Sequence, residues 1–242
     1  MNSPRPRLPS CIHLPLEMLA QPDETTCGPT CLHALYRYWG RHEPLQAVID
    51  RTGKLERGGT VAVFLACDAL RQGFQATIYT FNLTVFDPSW FTGKVDIAQR
   101  LLRQREEKPH DQRVQEVTAG YVEFLRLGGR LRLADLSRYL LRGFLRRRLP
   151  IITGLSATYL YRAMREYGPD DQPDDVRGIP GGHFVVLAGY ERPTRTVLVA
   201  DPYGPARDYW LRIDRVVGAI LLGIVTHDAN LLIIQPPHGA RS

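Results

Sequence analysis

The 242-residue sequence predicts an α+β fold. Three observations carry that expectation. Apolar residues recur at helical spacing through the first part of the chain, one alternating strand pattern follows at 75–81, and the last third consists of short, nearly continuous apolar runs separated by turns. Helices first and strands afterwards point to α+β rather than to alternating βα units. At 44% hydrophobic and 23% charged, the chain has a globular composition and the length to bury a full core. A single domain over 1–242 is expected, with a helical insertion at about 83–130.

The first nine residues carry charge, but Pro9 and Pro15 interrupt any apolar segment behind them, so they read as an untargeted tail of a cytoplasmic protein. Thr25 and Thr26 are natural N-caps and Pro29 fits only a first helical turn, so a helix starts at about Cys27. Leu32, Leu35, Tyr36 and Trp39 share one face of it, which can pack into a core. Residues 44–52 read as a short helix ended by Gly53, Gly58-Gly59 as a turn, and 60–71 as a third helix ending at Gly73. After the strand at 75–81 comes a turn carrying Trp90 and Phe91, either groove residues or, more commonly beside a turn, packing anchors. Charged helices at 95–107 and 114–127 lead to Gly128-Gly129, and Leu133, Leu136, Leu140 and Phe144 then repeat at helical spacing to 147. Strands are expected at 150–154, 184–190, 197–200 and 231–234; runs this apolar imply a sheet covered on both faces or curled onto the helices. The longest apolar run, 216–225, is about half of the roughly 20 residues that cross a bilayer, so no membrane span is expected.

The formal charge of +6 is uneven: residues 100–148 hold 13 Lys or Arg against 6 Asp or Glu. That excess could attract an acidic partner or nucleic acid, but a solvated helical face accounts for it better. Four cysteines (11, 27, 31 and 67) are too few and too unevenly placed for a disulfide framework. Cys27 and Cys31 lie four apart on one helix, yet no CxxC or HxxxH pair supplies further zinc ligands. Neither a metal nor any other cofactor is implied. Cys31 and Cys67 read as core residues.

Cys27 differs from them. It falls where unpaired backbone N–H groups and the helix dipole favour a thiolate. A thiol nucleophile needs a base, a group that orients the base, and donors for an oxyanion. Among seven histidines, His183 alone follows a glycine pair (Gly181-Gly182) and opens a buried strand, which holds it on a rigid element at the mouth of a cleft. Asp201 ends the next strand before Pro202. Joined by the short 192–195 turn, the two strands form an antiparallel hairpin, so the start of the first lies opposite the end of the second. His183 and Asp201 are therefore expected to be neighbours. Gln21, six residues before Cys27, can fold an amide back to join the Cys27 N–H at an oxyanion.

Gln21-x-Asp23-x-x-x-Cys27-Gly-Pro, then Gly182-His183-Phe-Val-Val-Leu, then Asp201-Pro-Tyr-Gly together resemble the C39-type peptidase domain of the papain-like superfamily, in its bacteriocin-processing form. The motifs cover roughly 21–39 and 150–204. The resemblance implies a papain-like fold with N-terminal helices on a C-terminal antiparallel sheet. It implies that Cys27 attacks an amide carbonyl, His183 shuttles the proton, Asp201 holds His183, and Gln21 with the Cys27 N–H forms the oxyanion hole. The substrate is then a peptide or protein. Type members cut leader peptides after a Gly-Gly pair and are fused to an ABC transporter; this chain departs in having no span, no P-loop and an extra basic helical segment. Two alternatives remain open: acyl transfer by the same thioester, as in a transpeptidase or transglutaminase, and a binding protein using the basic face of 100–148. The acidic stretch 166–175 before His183 could act as a flap or be merely solvated, and Tyr159, Tyr161 and Arg162 are candidate groove residues.

Overall fold

Nineteen elements follow one another in the computed structural model, which describes residues 10–56, 58–204, 207–223 and 228–237. The chain begins with β1 (Cys11–His13), α1 (Cys27–Tyr38), α2 (Leu45–Arg51), α3 (Ala62–Arg71) and β2 (Gln75–Thr80). A 3₁₀ turn (Pro88–Phe91), α4 (Ile97–Glu107), α5 (Gln112–Arg126), β3 (Arg130–Leu133) and α6 (Arg138–Arg146) come next. Then follow β4 (Ile151–Ser156), α7 (Ala157–Tyr161), β5 (Glu166–Tyr167), β6 (Gln172–Pro173) and β7 (Gly182–Glu191). β8 (Thr196–Ala200), β9 (Asp208–Arg212), α8 (Ile213–Leu222) and β10 (Asn230–Gln235) complete it. Residues 1–9, His227 and His238 lie outside the described residues.

One sheet orders the strands β3-β2-β10-β4-β7-β8-β9, with β1 also pairing β7. All pairs are antiparallel except β2 with β3. The apolar runs of the last third work because alternate residues feed two cores. Phe184, Val186 and Ala188 of β7, Ile152 of β4, and Leu232 and Ile234 of β10 pack with α1, α3 and α5. Val185, Leu187, Ile151, Leu231 and Ile233 face the other way, onto Leu141, Phe144 and Leu145 of α6 and Val216, Ala219 and Ile220 of α8. A sheet buried on both sides needs strands apolar at both parities, and these are. The fold is α+β.

Two elements differ from the sequence expectation. The helical spacing that begins at Leu133 does not start a helix there: 130–133 forms β3, because alternation puts Leu131 into the core and leaves Arg130 exposed, and α6 waits for Ser137, whose hydroxyl caps the Leu140 N–H at 3.3 Å. The apolar run that begins at Val216 lies in a helix, α8, not in a β-rich stretch, since Val216, Ala219 and Ile220 make one stripe against the sheet. Trp90 and Phe91 are partly buried against the α1–α3–α5 core. In the same segment, Val117, Tyr121 and Phe124 of α5 join that core. Among the described residues no helix is long and apolar enough to cross a membrane.

α1 carries the candidate site and is fixed from two sides. A polar network ties it to α2 and α3: Tyr36 Oη donates to Asp68 Oδ2 at 2.7 Å, and Arg51 bridges Asp68 and Glu43. At its other end, a Cβ on Gly28 would overlap the Thr60 methyl group and touch the Phe184 ring. Gly28→Ala is therefore expected to cost about 1–3 kcal/mol, as overpacking does. Gly143→Ala in α6, where a Cβ meets nothing within 4 Å, should instead stabilise by about 0.5–1 kcal/mol. Urea midpoints of the two variants check the contrast.

Candidate active site

The turn before α1 is built by short polar side chains. Asp23 Oδ1 accepts from the Thr25 N–H at 2.8 Å and the Thr25 hydroxyl at 2.7 Å, and that hydroxyl bond leads the causes holding its carboxyl below the usual range. Thr26 occupies the N-cap position, but its hydroxyl donates to the Asp23 carbonyl at 3.0 Å and no side chain caps the helix. Cys27 is thus the first residue of an α-helix whose leading N–H groups are left uncapped by any side chain. The thiol is buried to 8% exposure, at the edge of a cleft.

β7 and β8 pair with Val186 opposite Ala200, which brings His183 and Asp201 together across the open end of the hairpin. His183 Nε2 and Asp201 Oδ1 are 2.8 Å apart. The Asp201 carboxylate accepts three further bonds: from the Tyr203 N–H at 2.9 Å, Tyr161 Oη at 2.7 Å and Tyr209 Oη at 2.5 Å. Its own N–H donates to the Arg207 carbonyl at 2.7 Å. Four donors saturate an ionised carboxylate and leave no lone pair for water. Burial raises the Asp201 pKa, yet the bond and charge of His183, then the two tyrosines, outweigh it and hold the group below 3.8.

Cys27 also lies close enough to the imidazole for its side chain and charge to favour the imidazolium. With Nε2 committed to Asp201, Nδ1 is the ring nitrogen left free for a thiol. Burial disfavours the imidazolium, but the bond to Asp201, the Cys27 side chain and the charges of both prevail, and the His183 pKa is raised to about 9. The cost of burying Asp201 appears on its neighbours: burial and the adjacent carboxylate push the Tyr161 and Tyr209 phenols well up, so both remain donors.

The cleft beside this trio has a volume of about 180 Å³. It is lined by Glu24, Thr25, Cys27, Gly58, Gly59 and Thr60 from the chain leading into α1 and α3, and by Gly154, Leu155, Gly182, His183, Phe184 and Asp228 from β4, β7 and the segment ahead of β10. Gln21 is brought to the same region through its backbone, whose N–H donates to the Pro202 carbonyl at 3.0 Å. One N–H of its side-chain amide is spent on the Asp23 carbonyl at 2.8 Å, and its Oε1 is buried without a partner.

Among the groove candidates, Tyr161 supports Asp201, whereas Tyr159 and Arg162 line a separate cavity of about 760 Å³ with Ser156, Leu211 and Arg215, which neither Cys27 nor His183 borders. The acidic stretch is a small β5–β6 hairpin, pinned to the chain before His183 by reciprocal Glu166–Ile179 backbone bonds of 3.0 and 2.8 Å. Cys31 and Cys67 are buried; burial raises the Cys31 thiol well above its ordinary pKa and pushes Cys67 up to about 12. Sequence reasoning missed Tyr209 and Asp228. The alternation of 208–212 could have marked Tyr209 as inward-facing on a third hairpin strand. No local signal marks Asp228.

No family model and no curated protein matches the chain. Solved structures do. A C39-like peptidase from Bacillus anthracis is 13% identical, with 94% of this chain and 98% of that one covered and a TM-score of 0.48. A double glycine motif protease from an AMS/PCAT transporter, in complex with the leader peptide, is 13% identical over 93% and 94%, with a TM-score of 0.45. Xylellain, a cysteine protease from Xylella fastidiosa, is 14% identical over 96% and 88%, with a TM-score of 0.46. Each of these three is a peptidase, one of them C39-like and one a cysteine protease.

Proposed function

We propose that this protein is a cysteine peptidase of the C39 type, hydrolysing a peptide or isopeptide bond through a thioester on Cys27. The observation that supports it most is one imidazole with Nε2 on a four-fold bonded Asp201 carboxylate, lining the same cleft as Cys27, whose side chain and charge favour its protonation. A carboxylate fixed on Nε2 sets the tautomer and orientation of the ring and favours the imidazolium. His183 then takes the thiol proton, and Cys27 Sγ attacks the carbonyl carbon. The oxyanion forms at the start of α1, where the Cys27 N–H and the second N–H of the Gln21 amide can donate to it. As the tetrahedral adduct collapses, the imidazolium hands its proton to the leaving amine, and the C–N bond breaks. Water next attacks the thioester, His183 accepts its proton, and the acid departs as Cys27 is regenerated.

The test is intact-mass labelling at pH 6 with limiting iodoacetamide. The wild type should take one label rapidly at Cys27 while Cys11, Cys31 and Cys67 lag, and His183→Ala should lose that preference. Four thiols alkylating slowly and alike in the wild type would overturn the reading.

A further inference from the structure

The cleft at Cys27 holds a carboxyl that the peptide-bond chemistry does not use. Asp228 lines the cleft from the short segment ahead of β10 and is buried to 5% exposure. Its Oδ2 accepts from the Ala62 N–H, the first of α3, at 2.5 Å, and its Oδ1 accepts from the Asn230 side-chain amide. Both donors are neutral. Arg113 reaches it only through its charge, and no ion pair to Asp228 is present among the described residues. Capping α3 needs one acceptor oxygen, which an asparagine would supply without a buried charge. A carboxylate placed there, out of water and with no cation paired to it among the described residues, is costly to ionise unless something positive joins it. Burial accordingly raises its pKa to about 6.

The rest of the cleft is shaped for such a guest. Its wall at Gly154 has no side chain because Asp228 fills that space: a Cβ there would lie 3.0 Å from Asp228 Cβ. Among the described residues neither Lys nor Arg lines it, and the exposed Glu24 adds a second carboxylate. Glu24 also acts on Glu166, whose pKa is raised by burial and then by the charges of Asp171 and Glu24. So, in a chain of net charge +6, the described residues that line this cleft include two carboxylates and no Lys or Arg. At about 180 Å³ the cleft is smaller than the roughly 300–1,000 Å³ of a drug-sized ligand site and suits a single side chain.

We propose that Asp228 is a specificity-determining residue that selects substrates carrying a cationic side chain, lysine or arginine, next to the bond that Cys27 attacks. This rests on the peptidase reading. When such a residue binds, its ammonium or guanidinium occupies the cleft and pairs with the Asp228 carboxylate, with Glu24 steering it from the rim.

Peptidyl chloromethyl ketones test it, with lysine, norleucine or glutamate at the first or second position from the reactive carbonyl and glycine at the other. The rate of mass addition at Cys27 is read for each. In the wild type, lysine should react at least about tenfold faster than norleucine at one of the two positions, and glutamate slowest. In Asp228→Asn, which keeps an acceptor for the Ala62 N–H, the lysine-to-norleucine ratio should fall to within about twofold of unity. Because each ratio is internal to one protein, a general loss of reactivity does not mimic the result. Should Asp228→Asn fail to fold, the wild-type ranking alone decides. Equal lysine and norleucine rates in the wild type, or a tenfold ratio surviving in Asp228→Asn, overturns the assignment. Selective iodoacetamide labelling of Cys27 without any lysine preference overturns this inference alone, whereas absence of selective labelling overturns the peptidase reading and this one with it.

Discussion

Cys27→Ala should abolish hydrolysis of a peptide substrate, by about 10⁴-fold or more in kcat, while leaving the protein folded. The magnitude follows from the chemistry: without Sγ no thioester forms, and the oxyanion donors alone recover only a small part of the rate. The fold should survive because Cys27 sits at the cleft edge and alanine keeps its Cβ. Cys27→Ser should fail almost as completely, since the proposed mechanism needs His183 to take the nucleophile's proton and a hydroxyl gives it up far less readily than a thiol. Progress curves with a substrate found by peptide screening check this, beside thermal unfolding of each variant. Hydrolysis retained by Cys27→Ala would remove Cys27 from the mechanism.

The next largest effect is expected at Asp201. In Asp201→Asn the amide cannot serve all its neighbours. Tyr161 and Tyr209 donate to one oxygen and His183 to the other, so whichever way the amide turns, an N–H faces a donor. The imidazole loses its tautomer and its counter-charge together. A fall of about 10²–10⁴-fold in kcat/KM is expected, the scale seen when a carboxylate orienting a catalytic histidine is neutralised. The pH profile separates this from a merely structural defect. With the His183 pKa raised to about 9, the imidazolium that protonates the leaving amine persists through neutral pH, and the alkaline limb of kcat/KM should fall near 9. In Asp201→Asn that limb should move down toward the ordinary histidine value of 6.5.

Stability should follow the same linkage. A histidine whose pKa rises on folding contributes fully below its unfolded pKa of 6.5, and the contribution disappears as pH climbs through 9. A carboxyl whose pKa falls on folding contributes above its unfolded pKa of 3.8, and loses that contribution as pH drops through its folded value. The wild type should therefore exceed Asp201→Asn in urea midpoint most clearly between about 4 and 6.5, with the gap closing beyond 9. A gap independent of pH would mean that the pair does not ionise as described.

The pattern of which features could be read from the sequence follows the range of the forces behind them. The start of α1 at Cys27 is legible from Pro29, which fits only a first helical turn, although the Thr26 hydroxyl does not cap the helix. So is the juxtaposition of His183 with Asp201, because a four-residue turn between two apolar runs constrains both ends of a hairpin. Alternation marks β2, and the continuous apolar runs mark β4, β7, β8 and β10 as buried strands. β3 is not legible, because its pairing with β2 is parallel and Leu131 gains its strand partners from a segment some 50 residues away. Nor is α8: an apolar run reads alike as strand or helix until the sheet face that it covers is known.

The same division runs through the site. The order Gln21, Cys27, His183, Asp201 and the chemistry of those side chains belong to the sequence by itself. Only the tertiary structure decided that Tyr161 and Tyr209, from a short helix and a third hairpin strand, complete the coordination of Asp201. It alone decided that the Gln21 amide leans on Asp23, leaving one donor for chemistry. And it placed Asp228 against Ala62, 166 residues away, on the wall of the cleft. The reason is physical. Capping, turn geometry and side-chain alternation are decided within a few residues, whereas desolvation and electrostatic pairing depend on which distant surfaces the packed sheet and helices close together.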